Sequence, residues 1–297
     1  QAQSGTATVV VNPLPTATIS GTAVVCLNGA DQTITFTGVD GVAPYTFSYT
    51  FNNGPLLTIT STGNTATITV PASTEGVFNY SLQGVVDSSP TSCSQTQSGI
   101  ASITVSPIPV IFAGNDFTIC EGESVLLSGS GGITYVWDNG VVNAQEFYPI
   151  VTDTFTVIGT DAYGCVNIDQ VIVIVDPLPI VTFTADTTIG CAPLTVTFTN
   201  TTVGEFSDCI WFLSDGTILN GCGSVTNTFD VGGDFDVTLQ LTNTNGCQSS
   251  TTYQYFIFVE DVPDASFTPS SSILSTLNTE VDFYNTTTGA DTYLWSM

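Results

Sequence analysis

The stretch Phe235–Leu241 (FDVTLQL) alternates apolar and polar residues at every position. This period of two is typical of a β-strand with one buried face, because successive side chains of a strand point to opposite faces of the sheet. The same alternation occurs in Ile34–Phe36 and Thr195–Phe198, and Asn-Gly and Asp-Gly turn signals lie between such runs. Short strands at this spacing predict β-sandwiches, and no segment has a convincing helical pattern.

Near-copies of one boundary divide the chain into repeats. The form Val-x-Pro-x-Pro occurs at Val11–Pro15, Val105–Pro109 and Val175–Pro179, and a weaker copy lies at Val259–Pro263. Proline fixes its own φ and restricts the preceding residue, so each boundary is expected to end a strand and to form a stiff, extended joint. The sequence therefore predicts an all-β fold of tandem immunoglobulin-like β-sandwich domains in an elongated array.

The charge composition excludes two classes of partner. The chain has no Lys, Arg or His against 26 Asp and Glu, a formal net charge of -26. Nucleic-acid binding and attraction to anionic lipid both depend on basic side chains, so neither is expected. Hydrophobic residues make up 42% of the chain, which is enough to fill cores and argues against disorder.

Membrane insertion is not expected either. No apolar stretch approaches the roughly 18 to 20 residues of a membrane-spanning helix, and no signal peptide or anchor is recognisable. The chain begins with Gln1 rather than Met. We expect the true termini, with any export or anchoring signal, to lie outside it.

The eight cysteines are distributed so that each repeat has one early and one late member. Pairing within repeats predicts the bridges Cys26–Cys93, Cys120–Cys165 and Cys191–Cys247, with Cys209–Cys222 as a second bridge across a hairpin of the third repeat. Each is worth about 3 to 5 kcal/mol in the chain-entropy model. The alternatives are free buried thiols and, with no CxxC pair and no His, a still less favoured metal cluster.

The third repeat resembles PKD (polycystic kidney disease) domains. The resemblance rests on Cys191–Asn200, Trp211–Gly216 and Gly232–Leu239, which match a V-x-F-x-N strand, a W-x-F-G-D-G turn and a G-x-Y-x-V-x-L strand except for changes at Leu213, Ser214 and Phe235. The second repeat, with Tyr135–Gly140, and the longer first repeat resemble Ig-like repeats of giant Bacteroidota surface proteins. These resemblances imply gliding-motility adhesins and other cargo of the type IX secretion system, exported across the outer membrane and displayed on the cell surface.

Both ends of the chain resemble parts of repeats. Gln1–Pro15 is similar to Gln95–Pro109, which carries a last strand. Thr292–Trp295 is similar to Thr134–Trp137 of the second repeat. The predicted domains are the last strand of a preceding repeat (1–12), an Ig-like repeat (13–107), an Ig-like or PKD-like repeat (108–177), a PKD-like domain (178–262) and the N-terminal part of a truncated PKD-like domain (263–297).

Candidate sites of chemistry are few. Without His or Lys there is no ordinary base for a nucleophile, so we expect no enzyme activity, and no sequence feature marks a carboxylate pair for glycoside hydrolysis. One aromatic position recurs, and we predict core packing there rather than a sugar-stacking platform: Phe51, Trp137, Trp211 and Trp295. Turn Asp and Asn residues allow weak surface Ca²⁺ binding, but solvated turns are the favoured interpretation and no cofactor is expected.

These observations predict a structural or adhesive segment of a long cell-surface protein, a stalk or filament that supports adhesion or gliding motility. The alternatives are accessory, non-catalytic repeats of a secreted polysaccharide-degrading enzyme, or a glycan-binding module. The expected partners are neighbouring repeats of the same chain, extracellular surfaces or glycans, and the secretion machinery during export.

Overall fold

The protein is all-β. The structure, a computed structural model, describes residues 5, 6, 9, 11–270 and 280–296. Within these ranges every regular element is a strand, and no helix there is long and apolar enough to cross a membrane. The chain divides into two compact units: one contains the residues up to Phe117 with Ser124–Tyr148 and Asp153–Val173, and the other contains Thr118–Glu123, Pro149–Thr152 and the residues from Ile174 onward.

The first sandwich lies in the first unit and has two sheets, ordered β1-β3-β6 and β2-β8-β7-β4-β5. Val-, Ile-, Phe- and Thr-rich alternation forms these strands, with Asn and Gly residues at positive φ in the turns between them. Its strands are β1 (Thr16–Ser20), β2 (Ala23–Cys26), β3 (Gln32–Val39), β4 (Thr46–Phe51), β5 (Leu56–Thr60), β6 (Thr65–Val70), β7 (Gly76–Val86) and β8 (Ser94–Ser106).

The second sandwich is smaller. Its sheets are ordered β10-β12 and β11-β13-β14-β9, and an isolated bridge between Phe112 and Ser130 lies where the first sandwich has a full strand. Its strands are β9 (Phe117–Cys120), β10 (Val125–Leu126), β11 (Thr134–Trp137), β12 (Glu146–Phe147), β13 (Asp153–Thr160) and β14 (Val166–Asp176).

The third sandwich lies in the second unit and repeats the strand order of the first, β15-β17-β20 and β16-β22-β21-β18-β19. The shared order makes both immunoglobulin-like, with an edge strand beside the last strand of the larger sheet. Its strands are β15 (Phe183–Ala185), β16 (Ile189–Cys191), β17 (Leu194–Asn200), β18 (Phe206–Leu213), β19 (Ile218–Asn220), β20 (Ser224–Phe229), β21 (Gly233–Asn243) and β22 (Gln248–Glu260).

The last described element is an antiparallel hairpin of β23 (Phe267–Pro269) and β24 (Phe283–Asn285). The predicted truncated domain falls on this segment and on residues 271–279 and 297, which lie outside the described residues. Residues 1–12, predicted as a last strand, also fall mostly outside them. Both assignments stay predictions.

The predicted core aromatics differ in burial. Trp211 is fully buried, lies 5.1 Å from Phe183 ring to ring, and donates its indole N–H to the Gly221 carbonyl oxygen at 3.0 Å. Trp137 is also buried and donates to the Asn143 side-chain oxygen at 3.0 Å. Both tryptophans therefore belong to cores, and neither offers a face for sugar stacking.

Phe51 packs against the core of the first sandwich, with its ring centroid 5.1 Å from that of Tyr80. Phe51 is only partly buried, and the fully buried ring on β4 is Phe47. The two residues are four positions apart and share a face, because side chains alternate along a strand. Alignment on the turn glycine Gly54 therefore found a residue on the core-facing side of β4, although not the most buried ring of that strand.

Trp295 is not a core residue in the described structure. It is 48% exposed, and its ring centroid lies 5.7 Å from that of Phe267 and 6.1 Å from that of Phe283 in the hairpin. The physical reason is that a two-stranded hairpin covers one side of the indole, and no second sheet faces it within the described residues.

Replacing Trp211 by alanine should destabilise the third sandwich by about 3 to 5 kcal/mol, because it leaves a cavity in the core and removes the donor to Gly221. Hydrogen–deuterium exchange of β21, read by mass spectrometry, measures the loss in that sandwich alone. The control is Phe212→Ala, since Phe212 is the next residue of the same strand and faces outward. Equal losses in the two variants would contradict the assignment of Trp211 to the core.

Candidate functional site

Two disulfide bridges join consecutive repeats. Cys26 of the first repeat is bonded to Cys165 of the second, and Cys120 of the second is bonded to Cys247 of the third. The Cα atoms are 5.5 Å apart in both bridges. The predicted bridges Cys26–Cys93, Cys120–Cys165 and Cys191–Cys247 are therefore wrong, whereas Cys209–Cys222 is present across the β18–β19 hairpin.

Strand geometry explains the error. In the first sandwich β2 pairs in parallel with β8, and Cys26 lies opposite Ser106 at the end of β8. Cys93 immediately precedes Ser94, where β8 begins. The two thiols of one repeat are thus separated by the length of a 13-residue strand, about 40 Å, whereas disulfide Cα atoms lie within about 7 Å. The third sandwich repeats this geometry, with Cys191 opposite Glu260.

Six of the eight cysteines occupy two recurring positions, which we name by their place in the sandwich. An edge cysteine is the last residue of the edge strand β2, β9 or β16: Cys26, Cys120 and Cys191. A turn cysteine is the residue directly before the last strand β8, β14 or β22: Cys93, Cys165 and Cys247. Each bridge between repeats joins the edge cysteine of one repeat to the turn cysteine of the next.

The backbone holds each edge cysteine in the same way. The residue after it donates its N–H to the carbonyl oxygen of the final residue of the last strand. These pairs are Leu27 to Ser106 at 2.8 Å, Glu121 to Asp176 at 2.9 Å and Ala192 to Glu260 at 2.8 Å. The edge cysteine is therefore fixed where the last strand ends, at the point where the chain leaves the repeat.

A tight turn presents each bonded turn cysteine. Asp161 accepts the N–H groups of Tyr163 and Cys165 on one carboxylate oxygen, both at 2.8 Å, and its own N–H donates to the Cys165 carbonyl oxygen at 2.9 Å. The residue before the cysteine, Gly164, has φ +83°, a conformation that glycine adopts without strain. This arrangement is an Asx-type turn, in which a short polar side chain replaces a backbone acceptor.

Asn243 forms the equivalent turn in the third repeat. Its side-chain oxygen accepts the N–H groups of Asn245 and Cys247 at 3.0 and 2.9 Å, and Gly246 has φ +92°. We call Asp161 and Asn243 the turn heads. Neither turn head was predicted from the sequence, although both share the pattern Asp/Asn-x-x-Gly-Cys, at 161–165 and 243–247.

The second bridge has an additional polar contact between the turn head and the preceding last strand. The Asn243 side-chain amide donates to the Asp176 carboxylate at 2.5 Å. An amide can accept from its own turn with its oxygen and donate to a carboxylate with its nitrogen, which an aspartate cannot do. At the first bridge the corresponding positions hold Asp161 and Ser106, so in each bridge only one of these two positions is a carboxylate.

The remaining two cysteines, Cys93 and Cys191, are free thiols in the structure. Cys93 follows a longer turn headed by Asp87, whose carboxylate accepts from the Ser89 hydroxyl at 2.7 Å and from the Val42 N–H at 3.2 Å. These donors stabilise the charged form. The Ser89 hydroxyl and the surrounding N–H groups, including that of Cys93, hold the pKa of Asp87 below its ordinary value.

The turn carboxylates considered for Ca²⁺ mostly accept hydrogen bonds from nearby backbone. Asp215 accepts the Thr217 N–H at 2.8 Å, and Asp236 accepts the Tyr255 N–H at 2.7 Å. Within the described residues no group of three or more His, Cys, Asp or Glu side chains could hold a metal ion. Weak surface binding of Ca²⁺ stays the less favoured hypothesis, testable by the melting temperature in a Ca²⁺ titration.

Comparison with known proteins finds only distant structural similarity. No family model and no curated protein matches the chain. An I-band fragment of titin is similar at 14% identity and a TM-score of 0.46, over 84% of this chain and 100% of that chain. The N-terminal eight Ig domains of Down Syndrome Cell Adhesion Molecule are similar at 14% identity and a TM-score of 0.39, over 86% of this chain and 38% of that chain. A structure of a 1.5-MDa bacterial ice-binding adhesin is similar at 14% identity and a TM-score of 0.36, over 84% of this chain and 99% of that chain. Because these scores are low, the immunoglobulin-like assignment rests on the chain's own sheets.

The substitution Asn243→Asp should weaken the Cys120–Cys247 bridge. It places a carboxylate beside Asp176 and removes the amide donor, at a cost of about 1 to 2 kcal/mol, which makes the bridge roughly 5- to 30-fold easier to reduce. Alkylation and mass spectrometry at a fixed ratio of reduced to oxidised dithiothreitol measure this. Asp161→Asn is the matched control and should change the first bridge little. An unchanged second bridge in Asn243→Asp would refute the role of the contact.

The Cys93 turn should lose stability in acid. Because the pKa of Asp87 is lower in the folded protein than in the unfolded chain, the carboxylate contributes stability above the ordinary value near 3.8, and this is lost as the pH falls through the lowered folded value. An NMR titration of the Asp87 carboxyl carbon measures the folded pKa. In Asp87→Asn the amide oxygen still accepts, so the turn should not titrate. A folded pKa at or above the ordinary value would show the prediction to be wrong.

Proposed function

We propose that this chain is a structural segment of an extracellular protein, in which disulfides link consecutive immunoglobulin-like repeats so that they carry load and set distance. The observation that carries the proposal is that Cys26–Cys165 and Cys120–Cys247 each join one repeat to the next. Bridges that only stabilised single domains would close within a repeat, as Cys209–Cys222 does. Three disulfides in one chain fit an oxidising compartment outside the cytosol.

The two bridges overlap along the sequence and therefore shorten the covalent path between the chain ends. Tension entering before Cys26 crosses to Cys165, returns along the backbone to Cys120, crosses to Cys247 and continues toward the last residue. The segments between 27 and 119, and between 166 and 246, lie outside this path. Force can therefore extend only part of the second repeat and the two terminal segments, even when hydrogen bonding fails.

The finer role that we propose is a stalk or filament on a cell surface, supporting adhesion or gliding motility after export by a type IX secretion system. The support is the resemblance of Trp211–Gly216 and Gly232–Leu239 to PKD domains and of Tyr135–Gly140 to Bacteroidota surface repeats. The absence of Lys and Arg leaves trypsin-like proteases no cleavage site, which suits an exposed protein. A glycan-binding module is less well supported, because Trp137 and Trp211 are buried.

Single-molecule stretching from the chain ends tests the load path. The maximum end-to-end length should be about 400 Å for the oxidised chain and about 1000 Å for the reduced chain, at roughly 3.4 Å per extended residue. Removing the first bridge with Cys165→Ser should raise the oxidised limit to about 600 Å, because the path then runs through Cys120–Cys247 alone. Cys222→Ser removes a bridge outside the path and should leave the limit unchanged. A full 1000 Å extension under oxidising conditions would exclude load transfer through the bridges.

A further inference from the structure

Cys93 and Cys191 occupy the same two positions as the cysteines that link repeats. Cys93 is the turn cysteine of the first repeat, and Cys191 is the edge cysteine of the third. The other six cysteines are bonded to one another. Cys93 and Cys191 are not bonded to each other either, since both are free thiols. A cysteine partner for either thiol in this structure therefore lies outside these 297 residues or in a second copy of the chain.

The turn around Cys93 has the features of the two bonded turns. The Asp87 N–H donates to the Cys93 carbonyl oxygen at 3.0 Å, and the Asp87 carboxylate accepts the Ser89 N–H at 3.3 Å. The residue before the cysteine is again left-handed, although it is Ser92 at φ +46° rather than glycine. The backbone before Cys93 therefore has the same left-handed conformation as the backbone before the two bonded turn cysteines.

The backbone around Cys191 matches that of the bonded edge cysteines, but the Cys191 side chain is more exposed than theirs. The Ala192 N–H donates to Glu260 as in the other repeats, so the backbone is already in place. Bonded Cys26 and Cys120 are half-buried, whereas Cys191 is exposed. Likewise, the bonded turn cysteines are about 1% exposed and Cys93 is only half-buried. Both thiols therefore have the backbone geometry of the bonded cysteines but lack a partner cysteine that would cover them.

We propose that Cys93 and Cys191 are covalent attachment sites for further immunoglobulin-like repeats: Cys93 bonds the edge cysteine of a preceding repeat, and Cys191 bonds the turn cysteine of a following one. The observation behind this is that both bridges between repeats in the chain join an edge cysteine to the turn cysteine of the next repeat. This inference rests on the pairing rule and not on the proposed load-bearing role, so the two can fail separately.

The bond forms by thiol–disulfide exchange with a disulfide oxidant of the exporting cell. The thiolate of one cysteine attacks the oxidant's disulfide and releases one thiol, which leaves a mixed disulfide. The second thiolate attacks the protein sulfur of that mixed disulfide and releases the oxidant's second thiol. Two protein thiols lose two electrons and two protons, and the oxidant disulfide becomes a dithiol.

Charge at the junction indicates which repeats fit. In the second bridge the turn head Asn243 donates to Asp176, the last residue of the preceding last strand. The corresponding residue beside Cys191 is Glu260, so its partner repeat should have Asn or another neutral turn head. The turn head of Cys93 is Asp87, so its partner should end its last strand in a neutral residue, as Ser106 does. Without Lys or Arg, two facing carboxylates have no counter-charge.

Copies of this chain can serve as the probe, because each carries both kinds of thiol. One variant, Cys93→Ser, retains only the Cys191 thiol; the other, Cys191→Ser with Asp87→Asn, retains only the Cys93 thiol and has a neutral turn head. The two are mixed in equal amounts with glutathione disulfide as the oxidant, and covalent dimers are separated on a non-reducing gel. We expect at least about tenfold more heterodimer than either homodimer, because matching surfaces raise the effective concentration of the complementary thiols.

Three controls make the result decisive. Peptides from an Asp- and Glu-cleaving protease must contain Cys191 linked to Cys93, since trypsin has no site in the chain. Restoring Asp87 should lower the heterodimer yield roughly threefold through repulsion from Glu260, and added salt should reduce that difference. The double variant Cys93→Ser with Cys191→Ser, which has neither free thiol, should stay monomeric.

Two results would overturn the inference. Unselective oxidation gives heterodimer as about half of all dimers, so that fraction would show that the positions are not complementary. No dimer, with both thiols still open to iodoacetamide and all three bridges intact by mass, would show that the positions do not accept a partner. In the native protein, mass mapping of Cys93 and Cys191 distinguishes a further repeat from a second copy by the sequence of the linked peptide.

Discussion

The length of the last strand separates the two cysteines of every repeat. In the first sandwich, β8 runs from Ser94 to Ser106, with the turn cysteine before its start and the edge cysteine opposite its end. A disulfide requires Cα atoms within about 7 Å, so no rearrangement of side chains could join thiols at opposite ends of such a strand. An edge or turn cysteine that forms a disulfide must therefore bond outside its own repeat, and the linkage between repeats follows from strand pairing.

The junctions also reflect the absence of basic residues. In most proteins Lys or Arg would neutralise carboxylates that meet where domains join, but this chain has only acidic side chains and amides. Hydrogen bonding then has to replace charge pairing. Asn243 shows how: its oxygen holds the turn that presents Cys247, and its nitrogen donates to Asp176. Asp161 performs only the first task, at a junction where the facing position is Ser106 rather than a carboxylate.

The sequence predicted the fold class well because alternation is a local signal. Phe235–Leu241 has one apolar face whatever it pairs with, and β21 buries that face. Depth of burial along a strand was less predictable, since Phe47 and Phe51 lie on the same face of β4 and only Phe47 is fully buried. The cysteine pairing could not be predicted by proximity in sequence, because alternation does not show which strand lies beside which, or at which end. The edge strand β16, only three residues long, has too little pattern to reveal its parallel pairing with β22.

Loop entropy does not account for bridges between repeats. The two bridges close loops with sequence separations of 139 and 127 residues, whereas bridges within the same repeats would close loops about two to three times shorter. Closure entropy varies with the logarithm of loop length, so the longer loops add only about 0.6 to 1 kcal/mol per bridge. That difference is small beside the roughly 3 to 5 kcal/mol that either arrangement would supply. What the observed arrangement adds is connectivity: a second covalent link across the joint, so that a proline-containing linker such as Pro107–Pro109 is no longer the sole connection between neighbouring sandwiches.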